Sequence, residues 1–156
     1  MGLKQLPQDF KEFIQFLNDY EVHYLLLGGW AVGLYGNPQA TKDIDFLIAT
    51  DSENIAKLQQ ALLAFGAPSV KNEIFNEKGN VFRMGRSPMQ INIINEADGI
   101  SFKECYEGRN IIRIDGVDIA TISRNDLIKN KKASGRYRDL ADVEFIENLE
   151  RHGNKN

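Results

Sequence analysis

Apolar residues recur along the chain with two periods, one typical of helices and one typical of strands. After Pro7 they follow helical spacing, which predicts an amphipathic helix with one buried face. The residues on this face are Phe10, Phe13, Ile14, Leu17 and Tyr20. The next run, Val22 to Leu27, is almost entirely apolar and ends in glycines, which favours a central strand covered on both faces.

The pattern between residues 31 and 66 predicts a helix, a strand and a second helix. Ala31 to Tyr35 forms the short first helix, and Ile44 to Ala49 forms the strand. Thr50 and Glu53 have the spacing of a capping box that starts the second helix, and Gly66 ends it. The apolar residues of this helix are Ile55, Leu58, Leu62 and Phe65.

Two hairpins are predicted further along the chain. Val81 to Met84 and Gln90 to Ile94 are strands separated by "GRSP", a turn of residues that break regular pairing. In "IIRIDGVDIATI", Asp115 and Gly116 supply a type I′ turn between two alternating segments. The predicted strands are therefore at least partly antiparallel.

Two helices complete the chain. Ser123 caps a helix that runs through Ser134, and Gly135 ends it. The last helix has a predicted buried stripe of Leu140, Val143, Ile146 and Leu149. Mixed helices and strands predict an α/β or α+β fold with one mixed β-sheet. We expect a single domain over residues 1–150 and a polar tail over residues 151–156.

Composition narrows the classes of protein that this pattern allows. Of 156 residues, 42% are hydrophobic and 26% are charged, which is typical of a globular chain rather than a disordered or fibrous one. A formal net charge of -3 gives no broad basic surface for nucleic acid. One cysteine and two histidines cannot assemble a zinc site, so any metal must be held by oxygen. No apolar leader or membrane-spanning run is present, so we expect a cytoplasmic protein without a membrane partner.

The strongest candidate chemistry lies in "LLLGGWAVGLYGNPQATKDIDFLI". Asp43 and Asp45 alternate along a predicted strand, so their side chains share one face and two like charges come together. Each suppresses the ionisation of the other unless a proton or cation intervenes, and Mg²⁺ or Mn²⁺ is a natural partner. Gly28 and Gly29 have no side chains, so a phosphate can closely approach their backbone N–H groups. Alone, the glycines are typical of a turn and the aspartates of an exposed edge strand, but the combination is more specific.

The order G-G-x-A, a dozen or so residues, then D-I-D within a strand resembles the signature of the nucleotidyltransferase superfamily, which has a polymerase-beta-like fold. The resemblance extends from about Tyr24 to Ile146, through "FRMGRSPMQINII", "DGISFKECY" and "IDGVDIATISRNDLIKNKKASGRYRDLADVEFI", and is nearest to a small bacterial and archaeal branch. It implies a mixed sheet flanked by helices. It also implies transfer, with two metal ions, of a nucleoside monophosphate from an NTP to an acceptor hydroxyl, with release of pyrophosphate.

The resemblance assigns roles to individual positions. Asp43 and Asp45 become ligands of Mg²⁺ or Mn²⁺ and, with Asn92, the candidate catalytic residues. The candidate nucleotide-binding residues are Gly28, Gly29, Lys42, Lys131 and Arg136.

Two positions depart from the superfamily pattern. Asn92 in "QINII" stands where relatives usually carry a third aspartate, and an amide cannot accept the proton of the acceptor hydroxyl. General-base help is worth on the order of 10²–10⁴-fold, so a slow enzyme or an inactive relative is the alternative. Glu96 lies roughly 13 Å further along an extended strand and is too distant to substitute. Gln39 stands where relatives tend to have arginine, which removes a charge partner.

A basic segment, "NKKASGRYRD", is the second candidate for function. Its positive charges surround a predicted helix end, within reach of a triphosphate or a nucleic-acid backbone. A solvated face helped by the helix dipole is the alternative, but Lys131 and Arg136 match recurrent positions of the superfamily, which favours function. Asp139 either orients the cluster or simply begins the last helix. The cluster comprises Lys129, Lys131, Lys132, Arg136 and Arg138.

The remaining conspicuous residues favour structural roles. Trp30 and Tyr35 are predicted to be packing aromatics, Cys105 a small buried hydrophobe, and His23 a structural residue before a strand.

The leading hypothesis is a Mg²⁺-dependent nucleotidyltransferase whose acceptor is a small molecule, a protein side chain or an RNA end. Small nucleotidyltransferases also act in toxin–antitoxin pairs, and a domain this short lacks an obvious acceptor-binding domain, which favours a partner protein or a homodimer. The rival hypothesis is a nucleotide-binding or protein-interaction module of the same fold that lost turnover with the third carboxylate.

Overall fold

The computed structural model of the protein describes residues 5–36, 43–86 and 89–153. Within them the chain forms seven helices and six strands. The helices are α1 (Gln8–Asp19), α2 (Gly28–Leu34), α3 (Ser52–Phe65), α4 (Glu73–Asn76), α5 (Phe102–Glu107), α6 (Arg124–Ser134) and α7 (Tyr137–Gly153). The strands are β1 (Tyr24–Leu27), β2 (Ile44–Ile48), β3 (Val81–Met84), β4 (Ile91–Ile94), β5 (Asn110–Ile114) and β6 (Val117–Thr121).

The strands form one mixed sheet in the order β3-β4-β2-β1-β6-β5. β2 pairs antiparallel with β1 and parallel with β4, and β1 pairs parallel with β6. The two predicted hairpins, β3 with β4 and β5 with β6, are both confirmed as antiparallel pairs. Asp115 and Gly116 have φ angles of 54° and 78°, as a type I′ turn requires. The fold class expected from the sequence is therefore confirmed.

Apolar packing fixes the centre of the sheet. Every residue of β1 is buried, as predicted for a central strand. The Phe13 ring of α1 contacts Phe46 of β2 and Phe65 of α3 edge-on, so α1 and α3 cover one face together. The Tyr24 hydroxyl ties β1 to β6 by accepting the N–H of Ala120 at 3.3 Å. No described helix is both long and apolar enough to cross a membrane.

The structure corrects three helix ends. α2 begins at Gly28 rather than Ala31, so the glycines lie in its first turn. The N-cap of α3 is Asp51, whose carboxylate accepts the Asn54 N–H at 3.1 Å, so the predicted capping box at Thr50 is wrong by one residue. Tyr20 follows α1 and is exposed instead of lying on its buried face. The stops at Gly66 and Gly135 and the cap at Ser123 are confirmed.

The predicted stripe of α7 is half wrong. Val143 and Ile146 are buried, but Leu140 and Leu149 are 44% and 37% exposed. The buried side instead begins with Asp139 and Asp142, so positions 139, 142, 143 and 146 face inward at helical spacing. The inward side of this helix therefore carries two carboxylates, whereas the two predicted leucines are exposed.

The residues given structural roles are packed as predicted. Trp30 is buried with its ring edge-on to Phe10, and the Tyr35 hydroxyl donates to the Ile122 carbonyl at 2.6 Å. Cys105 is buried, and burial raises the pKa of its thiol to about 11. The exposed His23 ring stacks on Tyr106.

Candidate functional site

β2 holds the two candidate carboxylates beside β4. Asp45 lies opposite Leu27 of β1 and Asn92 of β4 in the sheet register. The Asn92 side-chain N–H donates to Asp45 Oδ1 at 2.9 Å. Asp43, immediately before β2, accepts the Gln90 backbone N–H through Oδ1 at 2.9 Å. Both carboxylates are therefore held in place by groups from β4 or from the residue before it.

Gly28 leaves the space that the Asp45 carboxylate fills. Its φ angle of +67° is unfavourable for residues with a side chain, and a Cβ atom there would lie 2.5 Å from Asp45 Oδ2. Position 28 therefore favours glycine both because of its φ angle and because the Asp45 carboxylate lies against it.

The surroundings of Asp45 disfavour its charge in the absence of a ligand. Burial raises the pKa of Asp45 most, and the charge of Asp43 adds to this. The hydrogen bond from Asn92 and the charges of Lys131 and Arg136 act in the opposite direction without cancelling the rise. A cation beside Asp45 would favour the ionised form.

The donor set fits a hard divalent cation. Asn92 Oδ1 is buried and accepts no hydrogen bond from the described residues, so the two carboxylates have an amide oxygen beside them without a partner. Carboxylate and amide oxygens are the ligands that Mg²⁺ and Mn²⁺ take. Among the described residues no cluster of three or more acidic, histidine or cysteine side chains is placed to hold a metal. A cation here would depend on Asp43 and Asp45, with water and a bound phosphate completing its shell.

The junction between α6 and α7 forms an ion-pair cluster centred on Asp139. Lys131 Nζ lies 3.1 Å from Asp139 Oδ1 and 3.1 Å from Asp142 Oδ2, and all three side chains are at least 92% buried. Asp139 Oδ2 accepts from Ser134 Oγ at 2.5 Å and from Arg136 Nε at 2.7 Å. Burial would raise the pKa of Asp139, but the hydrogen bonds from Ser134, Arg136 and Lys131 outweigh it and hold the pKa at about 2. Asp139 lies in the first turn of α7 and also accepts hydrogen bonds from Lys131 and Arg136, so both roles considered for it are compatible with the structure.

The five positive charges of the basic segment differ in their surroundings. The charge of Lys131 is shared by two buried carboxylates, whereas the Arg136 side chain is 70% exposed. Lys132 pairs with Glu147 on the surface at 3.4 Å, and Lys129 is exposed. Arg136 and Arg138 thus offer more accessible charge than Lys131.

One cavity of about 270 Å³ brings these groups together. The α6–α7 residues on its wall are Lys131, Arg136, Arg138, Asp139 and Asp142. The opposite side contributes Gly28, Gly29, Asp43, Asp45 and Asn92, so all described candidates for catalysis, metal binding and nucleotide binding lie on this cavity, whereas Lys129 and Lys132 of the basic segment do not. Lys42 and Gln39 fall outside the described residues. Glu96 instead lines an adjoining cavity of about 230 Å³.

Sequence reasoning missed Ser134 and Asp142. Asp142 follows Asp139 by three residues on a helix, a spacing that places both on one face. This spacing predicts that Asp139 and Asp142 share a face of the helix. It does not predict which lysine packs against them.

The sequence profile of one protein family, described as a nucleotidyltransferase of unknown function (DUF6036), matches residues 2–150. No curated protein sequence matches the chain.

Solved structures of nucleotidyltransferases share the fold. The Thermotoga maritima protein TM1012, which carries a provisional nucleotidyltransferase assignment, has a TM-score of 0.56 at 17% identity and covers 96% of this chain and 92% of its own. An antigenic nucleotidyltransferase-like protein from Paracoccidioides brasiliensis has a TM-score of 0.56 at 15% identity, with coverage of 96% and 79%. The lincosamide antibiotic adenylyltransferase LnuA, with lincomycin bound, has a TM-score of 0.55 at 14% identity, with coverage of 94% and 98%. At these identities the similarity shows the fold alone.

Proposed function

Since the chain belongs to the nucleotidyltransferase family DUF6036, we propose that it transfers a nucleoside monophosphate from an NTP to an acceptor hydroxyl. One observation carries the proposal: one cavity has Asp43 and Asp45, from the start of β2, on one side and Arg136 and Arg138 on the other. Carboxylates suit the metal and arginines suit the phosphates in phosphoryl transfer, where the protein mainly positions groups and balances charge.

The proposed reaction is a displacement at the α-phosphorus of the NTP, and the residues of the cavity each have a role in it. The acceptor oxygen forms a bond to the α-phosphorus, the bond from that phosphorus to the β-phosphate oxygen breaks, and pyrophosphate leaves while the hydroxyl proton passes to water. Asp43 and Asp45 would hold Mg²⁺ or Mn²⁺, and the bound ion would supply positive charge beside the reacting phosphate. Arg136 and Arg138 bind phosphate oxygens by charge-assisted hydrogen bonds. Gly28 leaves room for the Asp45 carboxylate, and Gly29 adds no side chain that would crowd the phosphates.

The buried cluster gives Lys131 a supporting role in this proposal. With two carboxylates within 3.1 Å, Lys131 is better placed to hold α6 against α7 than to bind the nucleotide itself. Asp139 positions Arg136 by accepting from Nε, which leaves the outer part of the guanidinium for phosphate. Arg136 is therefore the main nucleotide-binding cation.

The acceptor class stays open among a small molecule, a protein side chain and an RNA end. The neighbour LnuA is named for adenylyl transfer to an antibiotic, which favours a small molecule. A toxin–antitoxin pair, with a partner protein or a homodimer completing the acceptor site, is retained as a hypothesis about context.

Asn92 favours a second candidate function. A neutral amide beside Asp45 cannot serve as the general base, which suits a module that binds nucleotide without turnover. Pyrophosphate release from an NTP distinguishes the two functions. If the unaltered protein binds nucleotide without releasing pyrophosphate, and Asn92→Asp does release it, the unaltered protein is a nucleotide-binding module.

Calorimetric titration with nonhydrolysable ATP and GTP analogues, with and without Mg²⁺, tests the shared core of both functions. We expect Mg²⁺-dependent binding that disappears in an Asp43→Asn, Asp45→Asn double variant. Asp118→Asn removes a carboxylate that pairs with Arg113 on the β5–β6 hairpin, away from the cavity, and serves as the matched control that keeps binding. Binding that needs no metal, or that survives in the double variant, would show that the cavity has been assigned wrongly.

A further inference from the structure

The turn between α6 and α7 presents a tyrosine at the edge of the cavity. Tyr137 begins α7, and its two neighbours in sequence, Arg136 and Arg138, both lie on the cavity wall. Tyr137 itself is 94% exposed and is not part of that wall. None of the described residues forms a hydrogen bond or a ring contact with its side chain. The described part of the chain therefore leaves the Tyr137 hydroxyl accessible to another molecule.

A tyrosine hydroxyl is an acceptor of the kind that the proposed reaction requires, because the nucleoside monophosphate is transferred to oxygen. The Asn92 amide beside Asp45 cannot take up the proton of the acceptor. Phenols are stronger acids than aliphatic alcohols, so a phenolic acceptor depends less on a general base. The chemistry of the cavity therefore favours the hydroxyl of a tyrosine over that of a serine.

The placement of Tyr137 favours transfer between two copies of the chain. Its side chain does not line the cavity of its own copy, but its exposure allows it to enter the cavity of another. Arg136 and Arg138 are exposed on either side of it, and their positive charges are attracted to an NTP bound in that other copy. Leu140, one turn further along α7, is 44% exposed and adds apolar surface to the contact.

We infer that the Tyr137 hydroxyl is a modification site, which receives a nucleoside monophosphate from an NTP bound in a second copy of this chain. The inference rests on the proposed function, and it adds self-modification to transfer to an external acceptor. The phenolic oxygen forms a bond to the α-phosphorus, and the bond from that phosphorus to the β-phosphate oxygen breaks. Pyrophosphate leaves, and the phenolic proton passes to water. The product is a phosphodiester on Tyr137.

Mass spectrometry of the intact full chain, incubated with Mg²⁺ and each of the four common NTPs, tests the inference. We expect the addition of one nucleoside monophosphate, which fragmentation locates on Tyr137. Tyr137→Phe removes only the hydroxyl of an exposed side chain, so it should fold, keep nucleotide binding and lose the label. Tyr20→Phe is the matched control, because Tyr20 is also exposed but has Asp19 and Glu21 beside it instead of arginines. This control should keep the label.

A mixture of two variants tests transfer between copies. Tyr137→Phe keeps the proposed metal ligands and lacks the acceptor, whereas the Asp43→Asn, Asp45→Asn double variant keeps the acceptor and lacks the ligands. Neither variant should be labelled alone. In the mixture, label should appear on Tyr137 of the double variant, which an affinity tag separates from the other chain. Circular dichroism establishes beforehand that both variants are folded.

The outcomes separate the inference from the proposed function. Label that persists in Tyr137→Phe, or that does not appear on the folded double variant in the mixture, overturns the inference and leaves the proposed function standing. A protein that binds the nonhydrolysable ATP or GTP analogue with Mg²⁺ but gains no label from any NTP also overturns the inference alone. No binding of either analogue overturns the proposed function itself, and the inference with it.

Discussion

A single hydrogen atom at Gly28 separates the backbone of α2 from the carboxylate of Asp45. Gly28→Ala should lower the free energy of unfolding by about 2–3 kcal/mol, because it combines an unfavourable φ with a steric clash. It should also weaken Mg²⁺-dependent nucleotide binding, since the new Cβ atom would stand 2.5 Å from Asp45 Oδ2 and force the carboxylate aside. Urea unfolding and calorimetry measure the two effects.

Gly116→Ala is the matched control. Gly116 has a similar φ of +78° in the β5–β6 turn, but a Cβ atom there meets nothing within 4 Å. Gly116→Ala should lower the free energy of unfolding only by the cost of the unfavourable φ angle, on the order of 1 kcal/mol, and should keep nucleotide binding. Equal loss of binding in both variants would refute the role given to Gly28.

Asp45 is expected to be a site where function and stability oppose each other. Because its pKa is raised mainly by burial, the ionised side chain destabilises the metal-free fold at neutral pH. In EDTA, Asp45→Asn should leave the free energy of unfolding unchanged or raise it by up to about 1 kcal/mol, so the melting temperature should not fall. Nucleotide binding should be lost. A clear drop in the melting temperature would mean that the charge is well accommodated without a ligand.

How far the sequence predicts the site differs among residues. Strand alternation was enough to put Asp43 and Asp45 together, and the superfamily pattern placed Asn92 beside them. The partners of Lys131 could not be predicted, because they depend on the angle at which α7 crosses α6 after Gly135. The contact between Gly28 and Asp45 depends likewise on the register in which β1 pairs with β2, which local sequence patterns do not specify.

At the scale of elements, the ion pairs between α6 and α7 are expected to contribute more than surface pairs. Lys131→Met leaves Asp139 and Asp142 buried with less compensation, and breaking a buried pair typically costs about 3–5 kcal/mol. Lys132→Met removes a neighbouring lysine whose pair with Glu147 is solvent-exposed, so it should cost under about 1 kcal/mol. Urea unfolding of both variants makes the comparison, and equal losses would contradict the buried network.

The start of α7 should also respond to pH. The Asp139 pKa of about 2 lies below the unfolded value of roughly 3.9, so its stabilisation is present above about pH 4 and is lost as the pH falls towards 2. Asp139→Asn should therefore cost on the order of 2 kcal/mol at pH 7, and less at pH 3. Unfolding curves at the two pH values test this; a cost that did not change with pH would assign the effect to packing instead of charge.

Elements with strong local signals were predicted, and elements without them were missed. The β5–β6 hairpin follows from Asp115-Gly116 because few residue pairs tolerate the type I′ turn. Helices α4 and α5 have four and six residues, too few for a helical period to be visible. The inward side of α7 was misassigned because aspartates there are buried against Lys131, which hydrophobicity alone cannot indicate.

For the whole molecule, the hydrophobic pattern predicts one mixed sheet, and the superfamily resemblance adds the helices that flank it. The order of strands did not follow from periodicity, because adjacency between β1 and β6 joins segments far apart in the chain. That adjacency is fixed by tertiary packing, including the contact of the Tyr24 hydroxyl with Ala120.

The seam between β1 and β6 has a consequence for folding kinetics. The Tyr24 hydroxyl and the Ala120 N–H that it accepts are 96 residues apart. Bringing such distant segments together costs chain entropy before any contact compensates for it, which is why non-local pairing slows folding. β1, β2 and the β3–β4 hairpin are close together in sequence and can pair early. The six-stranded sheet is complete only when β6 pairs with β1. We therefore expect the carboxylate side of the cavity to form earlier in folding than the arginine side.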